Sequence, residues 1–363
     1  MIYPRQLRCG LAAALLIGLV AVPLEADDKR PATVGGPDDK PHLRGATSGT
    51  AIGGYIDHEL FLNDKKTFDQ HRFIPFIHGS VSDRIHVMAE IELEHGGLVK
   101  GKGESDGEIK LEFATLDISF AESINYRGGV VLSPLGKFNL IHDSPLNDFT
   151  NRPLVAREIV PTTLAEAGMG FFGTFYPTEV SVLGYEIYLV NGFNAAAAER
   201  IRSGRGSHKQ DNNEEKSLVG RLNYSPFLGL DLGGSFHVGA YDDAGDHNLG
   251  IFAVDLSYNR GPFDFLGEFA TASVDGAAAD TRSGYYAKVG YHFLPGVVRG
   301  FPNSIFTAAF RYDYIDLGVK DETRLSFGLN FRPEEETVIK LDYEIYDRNT
   351  ANNGLIFSVA SYF

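Results

Sequence analysis

The chain has 363 residues and an excess of acidic over basic side chains, with a formal charge of −15 at pH 7. This charge excludes nucleic acid as a main partner, because binding to phosphates requires a basic surface. Beyond the N-terminal region no stretch approaches about 18 continuous apolar residues, which excludes a helical membrane protein. A membrane-spanning β-barrel is compatible with the composition, since alternating residues hide a lipid-facing surface from average hydropathy.

The N-terminal residues have the features of an export signal. Two basic side chains, Arg5 and Arg8, precede an apolar stretch at 11–22 that is too short to span a bilayer as a helix. We therefore predict a cleaved signal peptide at 1–26. The next residues, 27–48, are rich in Pro, Gly, Asp and Lys and are predicted to form a disordered periplasmic lead-in.

From residue 49 to residue 363 the sequence alternates in segments of about ten residues separated by turn signals. In one segment Ile339, Leu341 and Tyr343 share a face, while Lys340 and Asp342 share the other. This pattern predicts an all-β fold, a transmembrane antiparallel β-barrel of about 16 strands. The predicted strands are 51–62, 70–80, 84–97, 108–120, 125–133, 168–177, 181–191, 217–225, 229–241, 248–258, 262–273, 283–294, 304–315, 322–332, 336–347 and 354–363.

The lengths of the predicted connections favour the barrel over a two-sheet sandwich. Connections after even-numbered strands are tight, whereas several after odd-numbered strands are long, as expected when the chain enters from the periplasm. The exception is 294–303, an even-strand connection of about ten residues. We therefore predict location in the bacterial outer membrane.

The last predicted strand ends on an aromatic residue, Phe363. Its neighbours Leu355, Phe357 and Val359 share one apolar face. This ending resembles the closing strand of bacterial outer-membrane porins, and the resemblance implies recognition of Phe363 by the barrel assembly machinery.

The long connection 134–167 follows the fifth predicted strand, where general porins fold a loop into the lumen and narrow the channel. The runs Asp148–Thr163, Glu166–Gly173 and Leu189–Asn194 resemble the corresponding stretches of the phosphate-selective porin family, the O/P type. The resemblance implies a sixteen-stranded homotrimer through which small solutes diffuse. It also implies that 134–167 is the constriction loop of the barrel 49–363.

A pore acts through the charges that line it, so polar residues of the lumen face and of the constriction loop are the candidate selectivity residues. The alternative is a structural role in which the arginines pair with carboxylates and hold the loop in place, because unpaired charges in a narrow lumen are costly. The positive candidates are Lys137, Arg152 and Arg157 in the loop and Arg127, Arg311, Arg324, Arg332 and Lys340 on strands; the negative candidates are Glu90, Glu92 and Glu94.

Three function classes follow from these features. The first is a porin, a passive diffusion channel for small hydrophilic solutes or ions, including anions such as phosphate. A structural or adhesive barrel with a plugged lumen is the second. An outer-membrane hydrolase is the least favoured, because the histidines are dispersed singly and Asp57 and Glu59 lie on the opposite strand face from His58. The sequence indicates no catalytic residue, cofactor or metal ligand.

Overall fold

The structure, a computed structural model, describes residues 49–64, 66–96, 107–206 and 215–363. The predicted signal peptide 1–26 and lead-in 27–48 lie outside the described residues. Among the described residues no helix is long and apolar enough to cross a membrane.

Sixteen antiparallel strands form one closed barrel, in which β1 pairs with both β2 and β16. The predicted fold class is confirmed. The strands are β1 Thr50–Leu62, β2 Thr67–Ser82, β3 Ile85–Glu94, β4 Glu108–Ala121, β5 Ile124–Leu132, β6 Ala165–Thr178, β7 Ser181–Val190, β8 Ser217–Phe227, β9 Leu230–Ala240, β10 Asn248–Arg260, β11 Phe263–Val274, β12 Thr281–Phe293, β13 Ile305–Asp316, β14 Asp321–Glu334, β15 Thr337–Tyr346 and β16 Gly354–Tyr362.

The two faces of each strand differ in polarity, as the alternation requires. On β15 the side chains of Lys340 and Asp342 point inward and are buried, whereas Leu341 and Tyr343 point outward and are exposed. Large apolar side chains are exposed in the same way on strands around the barrel. The outer surface is therefore apolar and suited to lipid, and polar groups concentrate inside.

The connections at the two ends of the barrel differ in length. At one end, here called the short-turn end, most strands are joined by two residues, for example 83–84 and 228–229. The longer connection 294–304 is the exception at this end. The opposite end, called the long-loop end, carries the connections 133–164 and 191–216, although β1 and β2 are joined there by only four residues.

The connection 133–164, called the inner segment, lies inside the barrel. It contains two short helices, α1 (Lys137–Leu140) and α2 (Leu154–Glu158), and a 3-10 turn at Ser144–Leu146. The connection 191–216 contributes two further 3-10 turns, Ala195–Ala198 and Ile201–Gly204, of which the second packs against α2.

A hydrophobic core fills part of the barrel interior. Leu135, Phe138, Leu154 and Val155 of the inner segment are buried in it. The wall contributes inward-facing side chains of strands between β5 and β15, and the connection 191–216 adds three more. The wall residues are Val131, Tyr188, Val190, Val219, Leu249, Ile251, Ala253, Leu266, Ala270, Ala272, Val274, Tyr286, Ile315 and Tyr346, and those of the connection are Phe193, Ala197 and Ile201. This burial holds the inner segment in place through the hydrophobic effect.

Candidate functional site in the barrel lumen

Basic side chains of the wall bind backbone carbonyls of the inner segment. Each of the four bonds joins a side chain of β13, β14 or β15 to a residue between 144 and 152. Arg311 donates to the carbonyl of Asn151 (2.9 Å), Arg324 to that of Arg152 (2.7 Å), Arg332 to that of Pro145 (2.8 Å), and Lys340 to that of Ser144 (2.7 Å). These carbonyls lie outside the two α-helices of the inner segment and find donors on the wall, which buried backbone groups require.

Acidic side chains of the wall accept from backbone N–H groups of the same segment. Asp342 accepts from Thr150 (2.7 Å), Asp313 from Leu154 (2.9 Å), and Glu268 from Phe138 (3.0 Å). Gly136 makes the last contact possible. Its φ is +68°, and a Cβ there would lie 2.6 Å from Oε1 of Glu268.

A third group of contacts fixes Asp148 of the inner segment. Its carboxylate lies 2.5 Å from Nζ of Lys288 and 3.6 Å from Arg332. Burial alone would raise the pKa of Asp148, but Lys288 and Arg332 hold that pKa well below its usual range. Asp148 therefore remains ionised and paired at neutral pH.

A cavity of about 350 Å³ lies between the inner segment and the wall, toward the short-turn end. It is lined in part by Lys137, Lys288, His292 and Asp231. Lys137, a predicted channel residue, is buried there and donates to Ser257 (2.5 Å), with Asp231 at 3.4 Å.

Several predicted selectivity residues are paired by neighbouring carboxylates. Arg311 and Arg324 lie 2.9 and 3.1 Å from Asp313. Arg127, on β5, forms a bidentate pair with Asp117 (2.6 Å), and its guanidinium group lies over the ring of Phe172. These contacts match the structural alternative, in which the charges hold the lumen together.

Arg152 belongs to a different cluster, called the basic cluster and defined as Arg152, Arg202 and Arg205. Arg152 and Arg202 both donate to the carbonyl of Thr162 (2.6 and 2.5 Å), and Arg205 donates to that of Thr163 (2.8 Å). No carboxylate of the described residues lies within 4 Å of these three guanidinium groups.

The environment of the basic cluster opposes its charge. Burial, together with repulsion from Arg72, lowers the pKa of Arg152. Burial and the adjacent Arg205 lower the pKa of Arg202 to about 9. Among the described residues these three half-buried cations bond neutral carbonyl and hydroxyl groups, which leaves their charge available to an anion.

Arg157 lies next to the basic cluster but is compensated. It donates to Glu158 (2.9 Å), which also pairs with Arg200 (2.8 Å). Burial would raise the pKa of Glu158, but Arg200 and Arg157 lower it. Arg157 therefore has an acidic partner, shared with Arg200, whereas the basic cluster has none within 4 Å among the described residues.

The predicted acidic residues lie on β3, also toward the long-loop end. Glu92 is buried and pairs with Lys110 (2.6 Å) and Arg72 (3.1 Å), and Glu94 also pairs with Arg72 (3.1 Å). Glu90 lies two residues before Glu92 on the same face of β3, and its side chain is also buried.

Sequence alternation misses two inward-facing residues, His71 and Glu112. Each stands at a β-bulge, where two residues of one strand oppose one residue of its neighbour. Glu112 lies 2.7 Å from His142 of the inner segment, and His71 lies 2.6 Å from Glu59. A bulge re-aims a side chain and breaks the period of two, so no local sequence signal marks these contacts.

Comparison with known proteins supports the class of fold. No family model matches the chain. An uncharacterized protein of Aquifex aeolicus (strain VF5) is 26% identical over 354 residues, covering 86% of this chain and 79% of that protein.

Solved structures share the architecture at low sequence identity. An anion-selective porin from Comamonas acidovorans superposes with a TM-score of 0.57 at 10% identity, covering 87% of this chain and 99% of that one. The outer-membrane channel DcaP of Acinetobacter baumannii gives 0.53 at 12% identity, with 88% and 98% covered. The trimer form of OmpT, an outer-membrane protein of Vibrio cholerae, gives 0.53 at 10% identity, with 86% and 98% covered. The chain is therefore a sixteen-stranded β-barrel with the fold of outer-membrane porins and channels.

Proposed function

We propose that this protein is a porin of the bacterial outer membrane, a passive channel for small hydrophilic solutes with a preference for anions. The observation that carries the preference is the basic cluster, whose three guanidinium groups share two carbonyls without a carboxylate of the described residues. A solute anion that enters from the long-loop end would meet the guanidinium N–H donors of the basic cluster. Fixed charge at a narrow point is what sets ion selectivity in such barrels.

Two features of the barrel support the porin class. Its outer surface is apolar and its lumen is polar, as a membrane channel requires. The inner segment lies in the lumen and is tied to the wall by both basic and acidic side chains. We infer that it forms the constriction and that selectivity arises between it and the facing wall.

We further propose that phosphate is among the permeating anions and that the barrel is a homotrimer. The resemblance of residues 148–173 to phosphate-selective porins suggests phosphate among the permeating anions. The trimer form of the V. cholerae OmpT barrel supports a homotrimer. We propose no enzymatic role, since the site groups its charges as salt bridges rather than around a nucleophile.

A second candidate, a structural barrel with a plugged lumen, is favoured by one observation. The inner segment and the connection 191–216 build a hydrophobic core with wall side chains of strands between β5 and β15. If the core closes the interior, the barrel conducts no ions.

Planar-bilayer recording of the purified protein under a salt gradient tests both candidates. The porin proposal expects discrete conductance steps and a reversal potential of the sign for anion preference. Cation preference would overturn the assignment of selectivity to the basic cluster. Absence of conductance from protein that is folded in detergent would favour the plugged barrel.

A further inference from the structure

Two carboxylates and one imidazole converge on the lumen wall near the long-loop end. Asp57 and Glu59 point inward from β1, and His71 reaches them from β2. Nδ1 of His71 lies 2.6 Å from Oε1 of Glu59 and 3.9 Å from Oδ2 of Asp57. One potential ligand atom from each of the three residues lies within 4.8 Å of the others.

The backbone is shaped to bring these side chains together. Between Asp57 and Glu59 the pairing of β1 with β2 shifts, so that two residues of β2 oppose the single residue His58. Because of this bulge, consecutive residues His71 and Arg72 both make contacts inside the barrel. Bulges are frequent beside functional sites, where they re-aim a side chain.

Carboxylates outnumber permanent cations among the described residues that are in contact with this group. Asp57, Glu59, Glu92 and Glu94 lie in one contact network with His71, Arg72 and Lys110. Buried surplus charge is costly unless it is paired or coordinates a metal.

Asp57 gives an independent indication of a missing partner. Its side chain is only 1% exposed, and no donor among the described residues reaches its Oδ1 atom. Its other oxygen, Oδ2, accepts from the hydroxyl of Ser144 on the inner segment. A bound ion would give this buried carboxylate a further partner, while Ser144 orients the carboxylate as an outer partner.

We propose that Asp57, Glu59 and His71 bind a divalent transition-metal cation of the Zn²⁺ type. Imidazole nitrogen and carboxylate oxygen are both ligands of such ions, and three protein ligands leave a position for water. Glu94 lies 4.0 Å from Nε2 of the same imidazole and adds negative charge beside the site. This site is independent of the proposed conductance.

Zn²⁺ titration of the full-length protein, folded in detergent at pH 7, tests the site by calorimetry. We expect one saturable Zn²⁺ per chain in the unchanged protein and at least about tenfold weaker binding in H71Q and E59Q, because each removes one ligand. The matched control is H58Q, whose histidine lies between the two carboxylates in sequence but points outward and is exposed. H58Q should bind like the unchanged protein.

Circular dichroism establishes that each variant is folded, and E59Q replaces H71Q if the latter does not fold. Absence of saturable Zn²⁺ binding to the unchanged protein would overturn the proposal. Equal affinity in folded E59Q and in H58Q would overturn it as well.

Discussion

Arg324 on β14 and Asp313 on β13 form an ion pair inside the barrel, with 3.1 Å between Nη2 and Oδ2. Both side chains are fully buried. Each also binds the backbone of the inner segment, since Arg324 donates to the carbonyl of Arg152 and Asp313 accepts from the N–H of Leu154. The pair therefore joins the wall to the stretch that leads into α2.

Replacement of Asp313 by Asn should destabilise the barrel by about 3 to 5 kcal/mol, because Arg311 and Arg324 are then left to share Glu344, and one buried positive charge is in excess. Urea unfolding in detergent measures the difference. The control is D321N, since Asp321 pairs with Arg348 (2.7 Å) where both side chains are exposed. An exposed pair contributes little to stability, because water already solvates both charges. Equal loss in both variants would contradict the anchoring role of Asp313.

Replacement of Arg152 and Arg202 by Gln should shift the reversal potential toward cation preference. The two guanidinium groups share one carbonyl, and no carboxylate of the described residues pairs with them. Their removal leaves the acidic wall of β3 to dominate the field. Reversal potentials of the double variant and the unchanged protein are compared in the same salt gradient.

Arg157 supplies the control for that experiment. It lies close to the basic cluster in sequence but is paired with Glu158. R157Q should therefore change selectivity less than the double variant does. A larger shift in R157Q would mean that Arg157, rather than the basic cluster, sets the charge of the constriction.

The strands could be predicted from the sequence because the period of two and the turn residues are local signals. The segments around β15 and β16 alternate clearly, and their predicted bounds fall within one residue of those observed. The partners inside the lumen could not be predicted in this way. Arg324 reaches Arg152 across 172 residues, and no local pattern encodes that distance.

The candidate metal site could not be predicted from the sequence for a different reason. The inward orientation of Asp57 and Glu59 follows from alternation. Alternation alone would point His71 outward, because its neighbour Arg72 points into the lumen. The bulge opposite His58 changes this orientation. Such a bulge depends on the pairing of two strands rather than on the residues of one.

The acid stability of the protein should depend on Lys288. Burial by itself would raise the pKa of Asp148. Lys288 and Arg332 nevertheless hold this pKa well below its usual range. A carboxyl with a lowered folded pKa stabilises the protein above its unfolded pKa, about 3.9, and this contribution is lost only as pH falls through the folded value. K288M should raise the pKa of Asp148 and move acid unfolding to higher pH. Circular dichroism between pH 7 and pH 2 measures the midpoint, and K320M, at an exposed turn, should leave it unchanged.

The hydrophobic core should control how firmly the inner segment is held. Leu154 begins α2 and is buried in that core. Replacement by Ala removes packed methyl groups, at a cost of about 2 to 5 kcal/mol in the free energy of unfolding. Because the loss falls on the contact between segment and wall, we expect L154A to convert steady current into fluctuating current in single-channel recordings. The control is L228A, in a turn where the leucine is almost fully exposed. Steady current in L154A, together with unchanged thermal stability, would contradict a holding role for the core.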